Sequence, residues 1–291
     1  MKGIISMYAL TGANGKLGRL ALQHLLTLVP AEQIIATTRN PQVLADFAAK
    51  GVVVRRADFA DPTTLPAAFD GATRLLLIST DAVGQRVEQH RAAIDAAAKA
   101  GVQHITYTSA PDATTDAPHP IQQEHAHTEI ALADSGLVWT ALRNIYYAEL
   151  LPDLLRALQV GNQLLVPEGH VKPAWIARDD CARSAAFMLA GKSDLTGPQD
   201  LTGPEALSFA DLAQRWSQLS GHTITPITES DQELTARLVA KGLPQQAAEG
   251  IIGTIAWFTR MGQTRVTNVV EQITGTKAVP VDVQLRTLAL A

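Results

Sequence analysis

The chain has 291 residues, 46% hydrophobic and 18% charged, with a formal net charge of -4, enough to bury a substantial core as one large domain or two modest ones. A sequence pI near 6.1 offers no basic face for nucleic acid, and the single cysteine, Cys181, excludes an internal disulfide framework and reads as a small buried hydrophobe. No stretch is long and apolar enough to span a bilayer and the start lacks the unbroken apolar core of a signal peptide, so the sequence predicts a soluble cytoplasmic protein with no membrane insertion.

Strand and helix alternate with a regular beat from the start. A short apolar strand over 7–10 runs into Gly12, Gly15 and Gly18, spaced three apart, and then into a helix from Leu20. A second strand is expected over 33–38, closed by Arg39-Asn40-Pro41, where proline forces an extended exit. A helix over 42–50 stops at Gly51, a third strand spans 52–54, and a short helix 65–69. Leu75-Leu76-Leu77-Ile78 is too uniformly apolar to face water on either side, as in a parallel sheet covered on both faces. Then come a helix over 86–100, a strand over 104–108, a helix over 125–133 and a sixth strand over 138–142. Six strands joined by helices predict an α/β fold with a doubly wound parallel sheet.

Beyond Asn144 the beat loosens. A helix over 146–158 interrupted by Pro152, a short strand over 164–166, a helix over 178–190 and a strand ending near 201–203 are expected. Ser208 reads as the N-cap of a helix over 209–220, and helices over 232–241 and 245–258 follow. The sequence therefore divides into a dinucleotide-binding domain over 1–145, with segments of about 170–203 returning to it, and a smaller, mainly helical substrate domain over 146–291.

The glycine turn carries the first chemistry. A dinucleotide demands a tight turn, an approach with no Cβ in the way, and N–H groups aimed at its pyrophosphate; glycine meets the first two needs and a helix N-terminus the third. The spacing here, G-x-x-G-x-x-G, is wider in its first half than the G-x-G-x-x-G fingerprint. At the end of the second strand, where an adenosine ribose would lie, the chain offers Thr37-Thr38-Arg39-Asn40 and no carboxylate. Arg39, with Lys16 in the turn, favours a 2′-phosphate and hence NADPH over NADH. Other strand ends supply Asp58-Phe59 to flank an adenine, Ser79-Thr80-Asp81 to line the dinucleotide, Tyr107-Thr108-Ser109, and Arg143-Asn144-Ile145-Tyr146-Tyr147.

The blocks TGANGKLG, ATTRNP, VRRADFAD, LLLIST, VGQRVEQHRAAIDAAAKAGV, YTSA and LADSGLVWTALRN, with WIARDDCARSAAFML and ITGTKAVPVDVQL later on, together resemble the NmrA-like branch of the atypical short-chain dehydrogenases. Within it they are most similar to the bacterial NADPH:quinone oxidoreductases of type 2. The resemblance implies a Rossmann-type domain and a flavin-free reductase that passes hydride from NADPH to a quinone, acting as a monomer or homodimer. It also implies that Gly12, Ala13, Asn14, Gly15, Lys16 and Leu17 hold the pyrophosphate, Arg39 the 2′-phosphate, and Ser79, Thr80 and Asp81 the middle of the cofactor. Thr140, Leu142, Arg143 and Asn144 would surround the nicotinamide. Some relatives bind the cofactor only to sense redox state, which is the rival reading.

The proton-donating pair of an ordinary ketone reductase, Tyr-x-x-x-Lys, is missing: Pro111 stands four residues after Tyr107, and Ile130 follows Thr128-Glu129 where relatives often carry lysine. A quinone tolerates this, because its reduction gives an aromatic hydroquinone anion far less basic than an alkoxide. Asn144 and Tyr146 are the expected neighbours of nicotinamide and acceptor, with Tyr107 as a further hydrogen-bond donor. His119, His125 and His127 do not share one helical face, so no metal site is expected and the latter pair reads as solvated or facing the cap. Trp175 and Trp216 read as core, and no G-x-S-x-G elbow marks a serine hydrolase.

Overall fold

The computed structural model describes residues 6–169, 171–260 and 264–289; the outer ends of both expected domains, and residue 170, lie outside that range. In chain order the elements are β1 (Tyr8–Leu10), α1 (Lys16–Leu25), β2 (Ile34–Thr38), α2 (Ala45–Ala48), β3 (Val53–Arg56), α3 (Leu65–Phe69), β4 (Arg74–Leu77), α4 (Arg86–Lys99), β5 (His104–Ser109), α5 (Pro120–Asp134) and β6 (Val138–Asn144). There follow α6 (Leu151–Leu158), β7 (Gln159–Val160), β8 (Gln163–Pro167), α7 (Arg178–Leu189), β9 (Gly197–Leu201), α8 (Phe209–Ser220), β10 (Thr225–Glu229), α9 (Asp231–Ala240), α10 (Gln245–Arg260), α11 (Val269–Thr274) and α12 (Asp282–Ala289). The chain divides into two compact units. One comprises the chain up to Asn144 with Asp179–Leu201 and Val269–Thr276; the other comprises Ile145–Arg178, Thr202–Asn268 and the chain from Lys277.

The first unit is built on a seven-stranded sheet in the order β3-β2-β1-β4-β5-β6-β9, parallel throughout. The continuous apolar runs have the cause expected of them: Ala9, Leu10, Ile35, Leu75, Leu76, Leu77 and Ile105 are fully buried in central strands. Burying each of the larger side chains stabilises the fold by roughly 2 kcal/mol. β1 pairs with β2 on one side and β4 on the other, so the connections diverge there. An open parallel sheet leaves a crevice at the carboxyl ends of such a strand pair. The seventh strand, β9, extends the six expected ones, its Gly197–Leu201 lying in register with Thr140–Asn144.

A buried polar chain ties the opposite end of this sheet together. Arg74 donates to the carbonyls of Met188 and Leu189 at 2.9 Å each, binding the C-terminus of α7, and to Nδ1 of His104 at 2.7 Å. With Nδ1 accepting, the Nε2–H of His104 donates to Thr140 Oγ1, which in turn donates to the carbonyl of Leu195 at 2.6 Å. Burial, and after it the Arg74 charge, lowers the His104 pKa to about 4, so the imidazole is neutral and both of its nitrogens are matched.

The second unit is mainly helical, as expected, but also carries a three-stranded sheet, β10-β8-β7, in which β10 runs parallel and β7 antiparallel to β8. Its core includes Trp175, Phe209 and Phe258, with Tyr146 4.1 Å from Phe258 between ring centroids. Arg215 on α8 reaches Glu205 at 2.8 Å and Asp282 at 2.7 Å, fastening α12. The helix expected from Tyr146 starts only at Leu151, where Pro152 falls in its first turn and costs no ladder bond. Similarly, α5 begins five residues earlier than expected, at Pro120, with His119 as its N-cap. Among the described residues no helix is long and apolar enough to cross a membrane.

Candidate cofactor cleft and active site

A cleft of about 470 Å³ opens at the carboxyl ends of β1 to β4, lined by Thr11, Gly12, Asn14, Gly15, Thr37, Thr38, Arg39, Ala57, Asp58, Phe59, Ala60, Ile78, Ser79, Thr80, Asp81, Ala82 and Gln89. Each glycine of the turn has its own physical reason. Gly12 has φ +59°, a left-handed conformation that L side chains rarely adopt. A Cβ on Gly15 would stand a tight 3.2 Å from the Gly12 oxygen, and one on Gly18 only 2.2 Å from it, so at Gly18 the turn packs onto its helix only as glycine.

The Gly15 N–H closes the turn onto the Gly12 carbonyl at 2.9 Å, and Arg19 is the first residue of α1 whose N–H enters the helical ladder, to Gly15 O. The N–H groups of Lys16, Leu17 and Gly18 precede that ladder, and with no acidic residue in the first turn they leave a positive helix end at the cleft. This cradle fits a pyrophosphate: its N–H groups are free of the helical ladder and the charge has the right sign. Ala13 is fully buried and its N–H donates to the Thr37 carbonyl, while Leu17 packs inward and Lys16 is exposed.

On one side of the turn, after β2, Arg39 is exposed on the cleft lining. Asp46 is engaged by Arg19 at 2.9 Å, and Asp58 and Asp61 lie 3.8 Å from Arg56. On the other side of the turn, after β4, runs the segment from Ser79 to Ala82, all four residues lining the cleft. Its backbone is held by side chains: Ser79 N–H donates to Thr108 Oγ1 at 2.9 Å, Thr80 N–H to His90 Nε2 at 3.1 Å, and Arg86 Nε to the Thr80 carbonyl at 2.8 Å. Arg86 in turn pairs with Glu124 at 2.7 Å, and Glu124 also accepts the Gly84 N–H.

With that geometry in place, comparison with known proteins is decisive. The family described as NAD(P)H-binding matches residues 12–190, from the first glycine of the turn to the end of α7. The chain belongs to the NAD(P)H-binding family. Quinone oxidoreductase 2 of Escherichia coli (strain K12) is 40% identical over 244 residues, 84% of this chain and 85% of that protein. The crystal structure of the Escherichia coli NADPH-dependent quinone oxidoreductase QOR2 complexed with NADPH covers 97% of this chain and 99% of its own, with TM-score 0.85 and 34% identity. An NmrA-like family domain-containing oxidoreductase of Aspergillus flavus is 38% identical over 151 residues, 50% of this chain and 49% of that one. The resemblance drawn from the sequence blocks is borne out, and so is the nucleotide-binding fold.

In this member of the family the remaining site candidates are not gathered at the cleft. Thr140 and Leu142 are fully buried in β6, Thr140 with both roles of its hydroxyl committed to the His104 chain. Arg143 is held by Glu129, which raises its pKa. Asn144 ends β6 at the carboxyl edge of the sheet. Tyr146 belongs to the second unit and sits in its aromatic cluster, 8% exposed. Tyr107 is fully buried and its hydroxyl is hydrogen-bonded to His125 Nδ1 at 2.6 Å. Burial raises its pKa and keeps the phenol protonated, but with the hydroxyl engaged by His125 in the core it offers no free donor to the cleft.

Of the expectation that His125 and His127 are solvated or face the cap, solvation is corrected for His125. His127 is exposed, but His125 is buried and its pKa lowered to about 3 by burial and the Arg86 charge. Sequence reasoning passed over Thr11, Gln89 and His90. Thr11 accepts the Ile78 N–H at 2.9 Å, joining the ends of β1 and β4. Gln89 and His90 lie in the first turns of α4, directly after the cleft segment, where a polar residue on the inward face is the available signal.

Proposed function

We propose that this protein is a cytoplasmic NADPH-dependent quinone oxidoreductase that works without flavin. The observation that carries the reading is the cleft itself, with the glycine turn and the open N-terminus of α1 after β1 and the Arg39 guanidinium after β2. The similarity over most of both chains to quinone oxidoreductase 2 supports the acceptor class. When bound, NADPH supplies the hydride, two electrons and a proton's nucleus in one transfer, so that a quinone plus one solvent proton becomes a hydroquinone.

The chain's own residues bind and orient. The N–H groups of Lys16, Leu17 and Gly18 hold the pyrophosphate, with Gly12 and Gly15 giving the backbone its approach. Arg39 forks onto the 2′-phosphate. Asp58 and Phe59 flank the adenine, and Ser79, Thr80 and Asp81 fix the middle of the dinucleotide. Asn144, at the end of β6, is the group assigned to orienting the acceptor. No strong acid is built in, and none is needed, since the product anion is weakly basic and positioning supplies most of the rate.

The test is loss of NADPH absorbance on adding benzoquinone or menadione to protein whose spectrum shows no flavin. Asn144→Ala should lower kcat about tenfold or more while the Kd for NADPH stays within about twofold. Tight NADPH binding with no turnover of either quinone would instead support the redox-sensing reading. A flavin band in active protein would overturn both.

A further inference from the structure

The cleft segment from Ser79 to Asp81 is held by a histidine that is fully buried behind the cleft lining. His90 lies in α4, fully buried, with one ring nitrogen on the Thr80 N–H at 3.1 Å and the other 3.0 Å from Thr128 Oγ1 on α5. A backbone N–H only donates, so Nε2 accepts and, in a neutral ring, the proton sits on Nδ1. Nδ1–H then donates to Thr128 Oγ1, whose own hydrogen goes to the Glu124 carbonyl at 2.9 Å. The sequence of bonds is directional: each member's donor is fixed by the next acceptor, and reversing the His90 proton leaves Nε2–H facing another N–H.

We infer that His90 and Thr128 act together as a positioning pair for NADPH, setting the backbone of Thr80 and hence the placement of the Ser79-to-Asp81 segment against the dinucleotide. Burial, then His125 and then Arg86 hold the imidazole neutral, with its pKa lowered to about 3. The Tyr107 ring packs edge-on at 5.3 Å and Phe59, itself on the cleft lining, at 6.3 Å. These rings pack against the imidazole on its apolar sides, while both of its nitrogens are engaged. The inference rests on the NADPH reading above and adds that affinity for the nucleotide depends on which nitrogen of a remote ring carries the proton.

Two amides separate positioning from mere packing. In His90→Gln the terminal oxygen reaches the place of Nε2 and accepts the Thr80 N–H; in His90→Asn the amide nitrogen takes the place of Nδ1, keeps Thr128 and leaves Thr80 unbonded. Kd for NADPH, read by quenching of tryptophan fluorescence without any acceptor, should rise about tenfold or more in His90→Asn, from one unsatisfied buried N–H, and less than about threefold in His90→Gln. Thr128→Val removes the acceptor that fixes the tautomer and should weaken NADPH as His90→Asn does, with the KM for menadione unchanged; it serves as the arbiter if His90→Asn does not fold. Equal affinities in the Gln and Asn variants, or an unchanged Kd in Thr128→Val, overturn the inference while leaving the function intact. Failure of the parent protein to bind NADPH overturns the functional reading instead.

Discussion

Glu129 on α5 takes two prongs of Arg143 on β6, Nε at 2.9 Å and Nη2 at 2.6 Å, and its Oε1 also accepts the Ser109 hydroxyl at 2.7 Å. The Glu129 side chain is 8% exposed and that of Arg143 21%. Removing the cation alone strands a buried carboxylate, so Arg143→Met should cost about 3 kcal/mol of stability. The double variant with Glu129→Gln should cost clearly less than the sum of the single ones. Urea denaturation of the four proteins measures this, and strict additivity would show that the pair is not coupled.

Gly18→Ala asks the Gly12 carbonyl to retreat from a methyl group built 2.2 Å away, with Ala13 Cα at 2.9 Å blocking the same space. Overpacking of this kind costs roughly 1–3 kcal/mol, and the displaced turn should weaken NADPH at least tenfold. Calorimetric titration checks it. An unaltered affinity would mean that the pyrophosphate does not use this turn.

Arg39→Ala should raise the KM for NADPH about thirtyfold and leave NADH within threefold, since a charge-assisted bond of about 2 kcal/mol is lost from one nucleotide only. Equal losses for both nucleotides would mean that Arg39 does not read the 2′-phosphate.

Three buried histidines make stability depend on pH in one direction. His90 and His125 titrate at about 3 and His104 at about 4 in the folded protein, against about 6.5 in an unfolded chain. Below that value the unfolded chain takes up protons that the folded one refuses. Stability is therefore full above pH 6.5 and falls on acidification towards pH 4 and 3, by about 2 kcal/mol per group at pH 5. Urea midpoints at pH 8 and pH 5 give the slope, and His104→Gln should flatten it. Identical midpoints at the two pH values would contradict the neutral assignments.

Much of this fold is legible in the sequence because the central strands are uniformly apolar and the helices between them end at glycines such as Gly51 and Gly101. The glycine turn and Arg39 are legible because a phosphate site needs few residue types in a fixed order. The start of β9 is not, since Gly-Pro-Gln-Asp-Leu carries no strand-forming run and is placed by its register with β6. Nor is β10, where Thr-Pro-Ile-Thr-Glu is polar and half-exposed and owes its state to β8. The His90 and Thr128 contact joins residues 38 apart in sequence, and no local pattern announces a bond made between two helices. Tyr107 misleads for the converse reason: a tyrosine at a strand end looks available until its hydroxyl is found spent on His125.

The nucleotide-binding unit is assembled from three separate stretches of chain, with β9 supplied only after an excursion of more than thirty residues. No single cut can therefore release it whole. A fragment ending at Asn144 would bare the edge of β6 along its five paired positions from Thr140, leaving unpaired backbone that recruits other strands. Halves of this enzyme produced separately should aggregate alone and regain solubility only when synthesised together.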